Sequence, residues 1–285
     1  MSGSENSPQN TVNYPNLGAI NTQATICNSS YNALPASLNR GFADGLQFST
    51  NYTWAHAIDD SPGAFDNYQG SVVNYRDLRA ERSSSDLDFR QRFALSGLYQ
   101  LPLGKGMKYG SNWNGFENAV LGGWQANLIF TANNGTPFDV FYNGGSPTVR
   151  PDLVGNPFAG ITTRYQYFNP AAFAPVPKNN AGVQLRGGTT PRNYLVGPHV
   201  KNTDLSAFKN FQFGEPYNLQ FRAEFYNLTN TPQFINPNNN LTNSNFGKLQ
   251  STRIGSPDPV CLAVLVLLIK THRGNGRQPL FPVFC

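Results

Sequence analysis

The chain has 285 residues, of which 13% are charged and 13% aromatic, with 27 Gly, 21 Pro and a formal net charge of +5. Gly and Pro penalise helices and Asn prefers turns, so this composition disfavours a helical protein and suits short aromatic strands separated by polar loops. No block of Lys and Arg forms a nucleic-acid footprint, so no nucleic-acid partner is expected.

Cys27, Cys261 and Cys285 show no metal-ligand spacing and leave one thiol over in any disulfide scheme. The opening decapeptide MSGSENSPQN has no apolar core, so no signal peptide is expected, and residues 1–17 read as a disordered segment. The longest apolar run, VCLAVLVLLI at 260–269, is half of the roughly 20 residues that a membrane helix needs. A spanning helix is therefore excluded. A membrane barrel is not, because its strands alternate and average out in hydropathy.

In chain order, the first expected strand is 30–39, a weak one. Segment 46–54 is clearer: Leu46, Phe48, Thr50, Tyr52 and Trp54 alternate with Gln47, Ser49, Asn51 and Thr53, placing the two sets on opposite faces. Segment 92–101 sets Phe93, Leu95, Gly97, Tyr99 and Leu101 against Arg92, Ala94, Ser96 and Gln100. Segment 124–133 sets Trp124, Ala126, Leu128, Phe130 and Ala132 against Gln125, Asn127, Thr131 and Asn133. Segment 136–142 is a weak candidate, best read as the arm of a loop hairpin. In 203–213, Phe208 falls out of phase with Phe211 and Phe213, which predicts a bulge. The strongest alternation is at 217–228, where Tyr217, Leu219, Phe221, Ala223 and Phe225 interleave with Asn218, Gln220, Arg222, Glu224 and Tyr226. A last weak strand is expected at 246–254.

Strands of this length suit a bilayer, which a tilted strand crosses in about 9–11 residues. The connections alternate too. Arg40–Gly45 and Gly214–Pro216 are tight turns, residues 59–89, 134–202 and 229–245 are long and polar, and 102–121 is a long turn on the short side. Short turns on one side and long loops on the other are the plan of outer-membrane barrels, with the short turns periplasmic. On this plan Tyr99, Trp124, Phe211 and Tyr217 fall near the inner rim, and Trp54, Phe93, Phe130 and Phe225 near the outer one. Aromatic girdles at both interfaces are expected of such a barrel; Trp54, Tyr99, Trp124 and Tyr217 are its anchors here.

The quoted residues also carry a family resemblance. SSYNALPASLNRGFADGLQFSTNYTWAHAIDD at 29–60 resembles the strand–turn–strand of Oar-like TonB-dependent receptors. The likeness continues through LRAERSSSDLDFRQRFALSGLYQLPLGKG at 78–106 and GGWQANLIFTANNGTPF at 122–138. It resumes at YFNPAAFAPV (167–176), TDLSAFKNFQFGEPYNLQFRAEFYNLTNTPQF (203–234) and NFGKLQSTR (245–253). It implies the C-terminal part of a barrel that takes up ligand across the outer membrane. The implied fold is all-β, an antiparallel transmembrane barrel segment of roughly seven or eight strands, incomplete as a barrel, with long polar extracellular loops. The implied partners are outer-membrane lipid, a missing N-terminal plug and the rest of the barrel, with the TonB complex reached only through that absent plug. The resemblance implies no cofactor.

The chain departs from the resemblance at two places. Pro35 stands where the family usually has Gln, and Pro cannot donate to a strand ladder, so the first strand is expected to be weak or at an edge. From 255 the sequence stops alternating and carries two of the three cysteines; residues 255–285 read as an aberrant tail, either translated out of frame after a shift near 254–258 or genuinely divergent, with 18–254 as the barrel part.

His56 with Asp59 and Asp60 has the composition of a metal or acid–base cluster, but a polar rim at a loop entrance is the simpler reading. The charge-dense stretch containing Arg79, Glu81, Arg82, Asp86, Asp88, Arg90 and Arg92 reads as a salt-bridged loop base and lumen wall. Arg222 and Glu224 share the lumen parity. Asp59, Asp60, Arg79, Glu81, Arg82, Arg222 and Glu224 are therefore the ligand-facing candidates. Gly104-Lys105-Gly106 lacks phosphate-loop spacing, and no nucleophile–base arrangement is recognisable, so no enzyme is expected. Two other functions fit the composition: an adhesive or structural barrel that binds through 59–89 and 134–202, and a soluble β-sandwich binding carbohydrate through Tyr165 and Tyr167.

Overall fold

A computed structural model describes residues 27–60, 78–142, 150–161, 163, 165–180, 185–212, 217–253 and 261–270, together with the dipeptides 3–4 and 21–22. Seven long strands make up its main sheet: β1 (Ser29–Ala43), β2 (Leu46–Asp59), β3 (Gln91–Gln100), β4 (Trp124–Asn133), β5 (Val200–Gln212), β6 (Tyr217–Tyr226) and β7 (Cys261–Lys270). They lie side by side in chain order, every neighbour antiparallel, with the short Ser83–Ser84 strand added against β2. The sheet is open, with β1 and β7 at its edges. The long strands share this one sheet, so the packed pair of sheets that a sandwich needs is not formed among the described residues.

Alternation in the sequence becomes two chemically different faces because directly paired residues share a side. Phe48, Gly97 and Leu128 are paired in turn, as are Thr50, Leu95, Phe130 and Thr203, so β2 to β5 present one apolar face. On the other face Ser49, Ser96 and Ile129 run together, and Asn127, Ser206 and Glu224 continue the polar surface into β6. Leu34 and Leu38, on the apolar side of β1, are 67% and 63% exposed.

The β1–β2 turn closes at Asp44-Gly45, both with positive φ (51° and 77°), the backbone that a two-residue hairpin turn requires. An irregularity in register lies between Arg40 and Ala43. Pro35 pairs with Thr53 on the edge strand, where its missing N–H is tolerated.

The bulge expected in 203–213 is not there. β5 pairs residue for residue with β4 from Val200 to Lys209 and with β6 from Leu205 to Gln212. Phe208 is accommodated on the polar face opposite Gln125 and Arg222. The residue this pushes onto the apolar face is Lys209, only 4% exposed, whose Nζ donates to the carbonyls of Gly122 and Asn118 and lies 5.0 Å from the Phe211 ring.

Those carbonyls end a helix that the sequence reading leaves as a turn. α1 (Gly115–Leu121) begins with a capping box in which Asn114 and Glu117 satisfy each other's backbone N–H, at 2.8 and 3.0 Å.

The strand expected at 246–254 is also corrected. Residues 246–253 lie outside the main sheet and make only isolated bridges, Lys248 with Gln166 and Thr252 with Phe234, while Phe246 enters a loop core. The last strand of the sheet is β7, inside the tail that reads as aberrant, paired with β6 from Tyr217–Lys270 to Tyr226–Cys261. Segment 136–142 is a loop arm: Pro137–Phe138 pair with Leu195–Val196. Of the segment 1–17, only Gly3–Ser4 is described, paired with Asn21–Thr22; the Gly214–Pro216 turn and the junction 254–258 lie outside the described residues.

Candidate functional site

Three long connections leave the same end of the sheet, after β2, β4 and β6, and they fold together into a cap. Its core is aromatic. Phe168 is fully buried, with ring centroids 5.0 Å from Phe246, 5.6 Å from Phe173 and 6.4 Å from Phe138. Val140, Ala172 and Leu195 complete it. The long connections read as polar loops thus contain a hydrophobic core of their own.

Ion pairs tie the cap's connections to one another, and one of them ties the cap to the sheet. Arg150 and Glu81, 9% and 2% exposed at their side chains, form a bidentate pair at 2.8 and 2.9 Å. Arg192 donates through Nε to the Glu81 carbonyl at 2.9 Å, and through Nη2 to the Asp59 carbonyl at 2.8 Å and to the Asp59 carboxylate. The residues next to Arg192 reinforce this: Ser83 donates to the Arg192 carbonyl at 2.6 Å and Asn193 to the Ser84 carbonyl at 2.8 Å. Gly188 is needed nearby because a Cβ there would sit 1.9 Å from the Arg150 carbonyl oxygen.

The structure separates the three members of the suspected metal or acid–base cluster. Asp59 joins Arg192, and Asp60 accepts the Asn28 N–H at 2.6 Å. His56 lies between Asp88 and Arg90, 3.2 Å from each, while Asp88 also receives the Ala57 N–H at 2.8 Å and Arg90 Nε at 2.6 Å. Arg79 and Arg82 are exposed, on either side of the buried Glu81. Among the described residues no three His, Cys, Asp or Glu are placed to hold a metal ion.

Arg222 and Glu224 lie on the polar face in β6, an ion pair at 2.7 Å, and Tyr226 donates to Glu224 at 2.6 Å. Arg222, Phe208, Asn127, Ser49, Gln47 and Ser96 border a shallow groove of about 350 Å³ along this wall. The candidates therefore fall into two sets: Asp59 and Glu81 in the cap anchor, Arg222 and Glu224 on the wall. The anchor partners Arg150 and Arg192 are missed by sequence reasoning, because 69 and 111 residues separate them from Glu81.

The girdle residues take positions at both ends of the apolar face. Trp124 packs edge-on against Phe221 at 5.8 Å and donates its indole N–H to the Val120 carbonyl at 2.9 Å; Tyr99 pairs with Leu46 and Ala126. Tyr217 holds the register position two pairs beyond Leu219. At the cap end Phe93 meets Phe130 at 5.9 Å, and Trp54 is 41% exposed.

Burial lifts the Asp139 carboxyl above the ordinary carboxylate range; the Asn193 N–H at 2.6 Å and the Arg150 and Arg192 charges offset this only in part, and Glu81 adds to it. The folded cap therefore holds this proton more tightly than the unfolded chain does. Its contribution to stability is largest at low pH and is lost as pH rises from the ordinary carboxylate value through the raised one. Asp139→Asn keeps an oxygen acceptor and removes the charge. Cap stability of the variant, followed by hydrogen exchange, should match the parent at low pH and exceed it at neutral pH. The opposite sign holds at Asp152, where Arg186 at 2.6 and 2.7 Å holds the carboxyl below its usual range.

Long alternating strands, the tight Asp44-Gly45 turn at one end, a folded cap at the other and aromatics at both rims are the features of a transmembrane β-barrel wall. The chain belongs to the outer membrane beta barrel domain family, which matches residues 2–257. No curated protein and no solved structure matches it. The apolar face is accordingly the lipid side and the polar face the lumen side.

Proposed function

We propose that this barrel wall belongs to a TonB-dependent receptor of the Oar-like type and serves ligand uptake across the outer membrane, with transport and not catalysis as its role. The observation that carries this reading is the polar lumen wall with its Arg222–Glu224 pair, below a cap anchored by Asp59 and Glu81. A ligand entering from outside would meet the cap first and the wall groove next. Among the described residues nothing pairs with the outer edges of β1 and β7, which supports a larger barrel, since unpaired backbone groups are not tolerated in lipid. In that larger barrel the plug, and through it the TonB complex, would be the partners.

A second reading, adhesion, is favoured by one observation. The cap has its own core and exposes Tyr165, at 48%, to the outside. Uptake of labelled ferric chelates, cobalamin and oligosaccharides by cells with and without the gene separates the two. Energy-dependent loss of one ligand class in the deletion supports import. Unchanged uptake of all three, with cell–matrix adhesion lost, would replace import by adhesion.

A further inference from the structure

We propose that the groove between the cap and the lipid-facing wall is a docking site for an acylated, phosphate-bearing lipid of the outer leaflet. The inference rests on the two-faced sheet and not on what the barrel imports.

The floor of the groove is one cross-strand row. Tyr52 pairs with Phe93, Phe93 with Ala132 and Ala132 with Lys201, across β2, β3, β4 and β5. All four lie on the apolar face, and Ala132, the smallest, leaves the gap. The roof comes from the long connection before β5: Phe158, Tyr194, Val196 and His199. Tyr167 fixes that roof by donating to the Val196 carbonyl at 3.0 Å. The open groove has a volume of about 580 Å³.

The occupant follows from where the groove opens and what lines it. Its floor is continuous with the surface that meets hydrocarbon, at the aromatic rim level of the outer leaflet. Phe158, Val196 and Tyr194 remain 59%, 47% and 40% exposed around it, apolar area that acyl chains would cover. The Lys201 ammonium and the His199 imidazole stand at the same site, and among the described residues no acidic side chain lines it. That combination suits a phosphate joined to acyl chains. A free anion would leave the aromatic floor uncovered, and an uncharged chain would leave Lys201 without its counter-charge.

Native mass spectrometry of the full chain in detergent micelles tests this with lipid A, dephosphorylated lipid A and inorganic phosphate as probes. Lipid A should bind about tenfold more tightly than its dephosphorylated form, and Lys201→Glu should remove that preference. Ala132→Trp, which fills the floor, should release both lipids, whereas Lys105→Glu at the opposite rim should change nothing. Lys201 is exposed, so its variant should keep the parent's far-ultraviolet circular dichroism and carries the test even if Ala132→Trp does not fold. Equal binding of the two lipids, or lipid A binding unaffected by Lys201→Glu, would overturn the proposal. So would displacement of lipid A by equimolar inorganic phosphate, which would make this a simple anion site.

Discussion

Glu81→Ala should loosen the cap while leaving the barrel wall intact. The substitution removes the bidentate partner of Arg150 and leaves a guanidinium 9% exposed with no carboxylate on its fork. Breaking a buried pair from one side costs about 3–5 kcal/mol, because the remaining charge stays desolvated. The Arg192 bonds to the Glu81 and Asp59 carbonyls use backbone oxygens and survive the change. The cap should therefore open more often without detaching. Hydrogen exchange of the amides of Leu153 and Thr190 should accelerate by about two to four orders of magnitude, with those of β3 and β4 unchanged. Removing both charges, as Glu81→Leu with Arg150→Met, should recover much of the loss, since an apolar pair has no desolvation cost. Unchanged exchange in the single variant would show that this pair does not hold the cap.

Phe168→Ala should have a comparable effect by another route. Phe168 is fully buried against Phe138, Phe173 and Phe246, and its deletion leaves a cavity among those three rings. Truncating a buried Phe costs about 3–5 kcal/mol, to which the lost edge-on ring contacts contribute. Limited proteolysis should then cut within 150–180, while the barrel stays heat-modifiable in gel electrophoresis. The wall is independent because strand pairing and lipid contact hold it, not the cap core. Loss of heat-modifiability together with the cap would contradict that separation.

How legible these features are in sequence depends on the range of the interactions behind them. The wall is a short-period pattern: segment 124–133 matches β4, and 92–101 and 217–228 differ from β3 and β6 by one or two residues. Alternation failed where one side chain found a local partner. Lys209 sits on the apolar face because α1 turns its carbonyls toward it, so no bulge is needed to restore phase. That helix could have been read from Asn114-x-x-Glu117, a capping box in a stretch without strand alternation.

The cap could not be read in the same way. Phe138, Phe168, Leu195 and Phe246 have no common period and meet only when distant parts of the β4–β5 connection fold onto each other and onto the β6–β7 connection. The charge-dense stretch around Glu81 showed that ion pairs belong there, but not that Arg150 and Arg192 supply them. Segment 246–254 has only Phe246, Leu249 and Ile254 as apolar residues, three and five positions apart and so without a strand's period of two, and Phe246 goes into the cap core.

The most direct test of the barrel wall places one charge on each of two neighbouring residues in the middle of β4. Leu128 lies on the lipid side and Asn127 on the lumen side. The measurement is the equilibrium fraction of heat-modifiable, folded protein for Leu128→Arg and Asn127→Arg in lipid vesicles. A barrel wall predicts a cost of about 2–4 kcal/mol for Leu128→Arg and almost none for Asn127→Arg. Equal costs at the two positions, or a greater cost at Asn127, would contradict it.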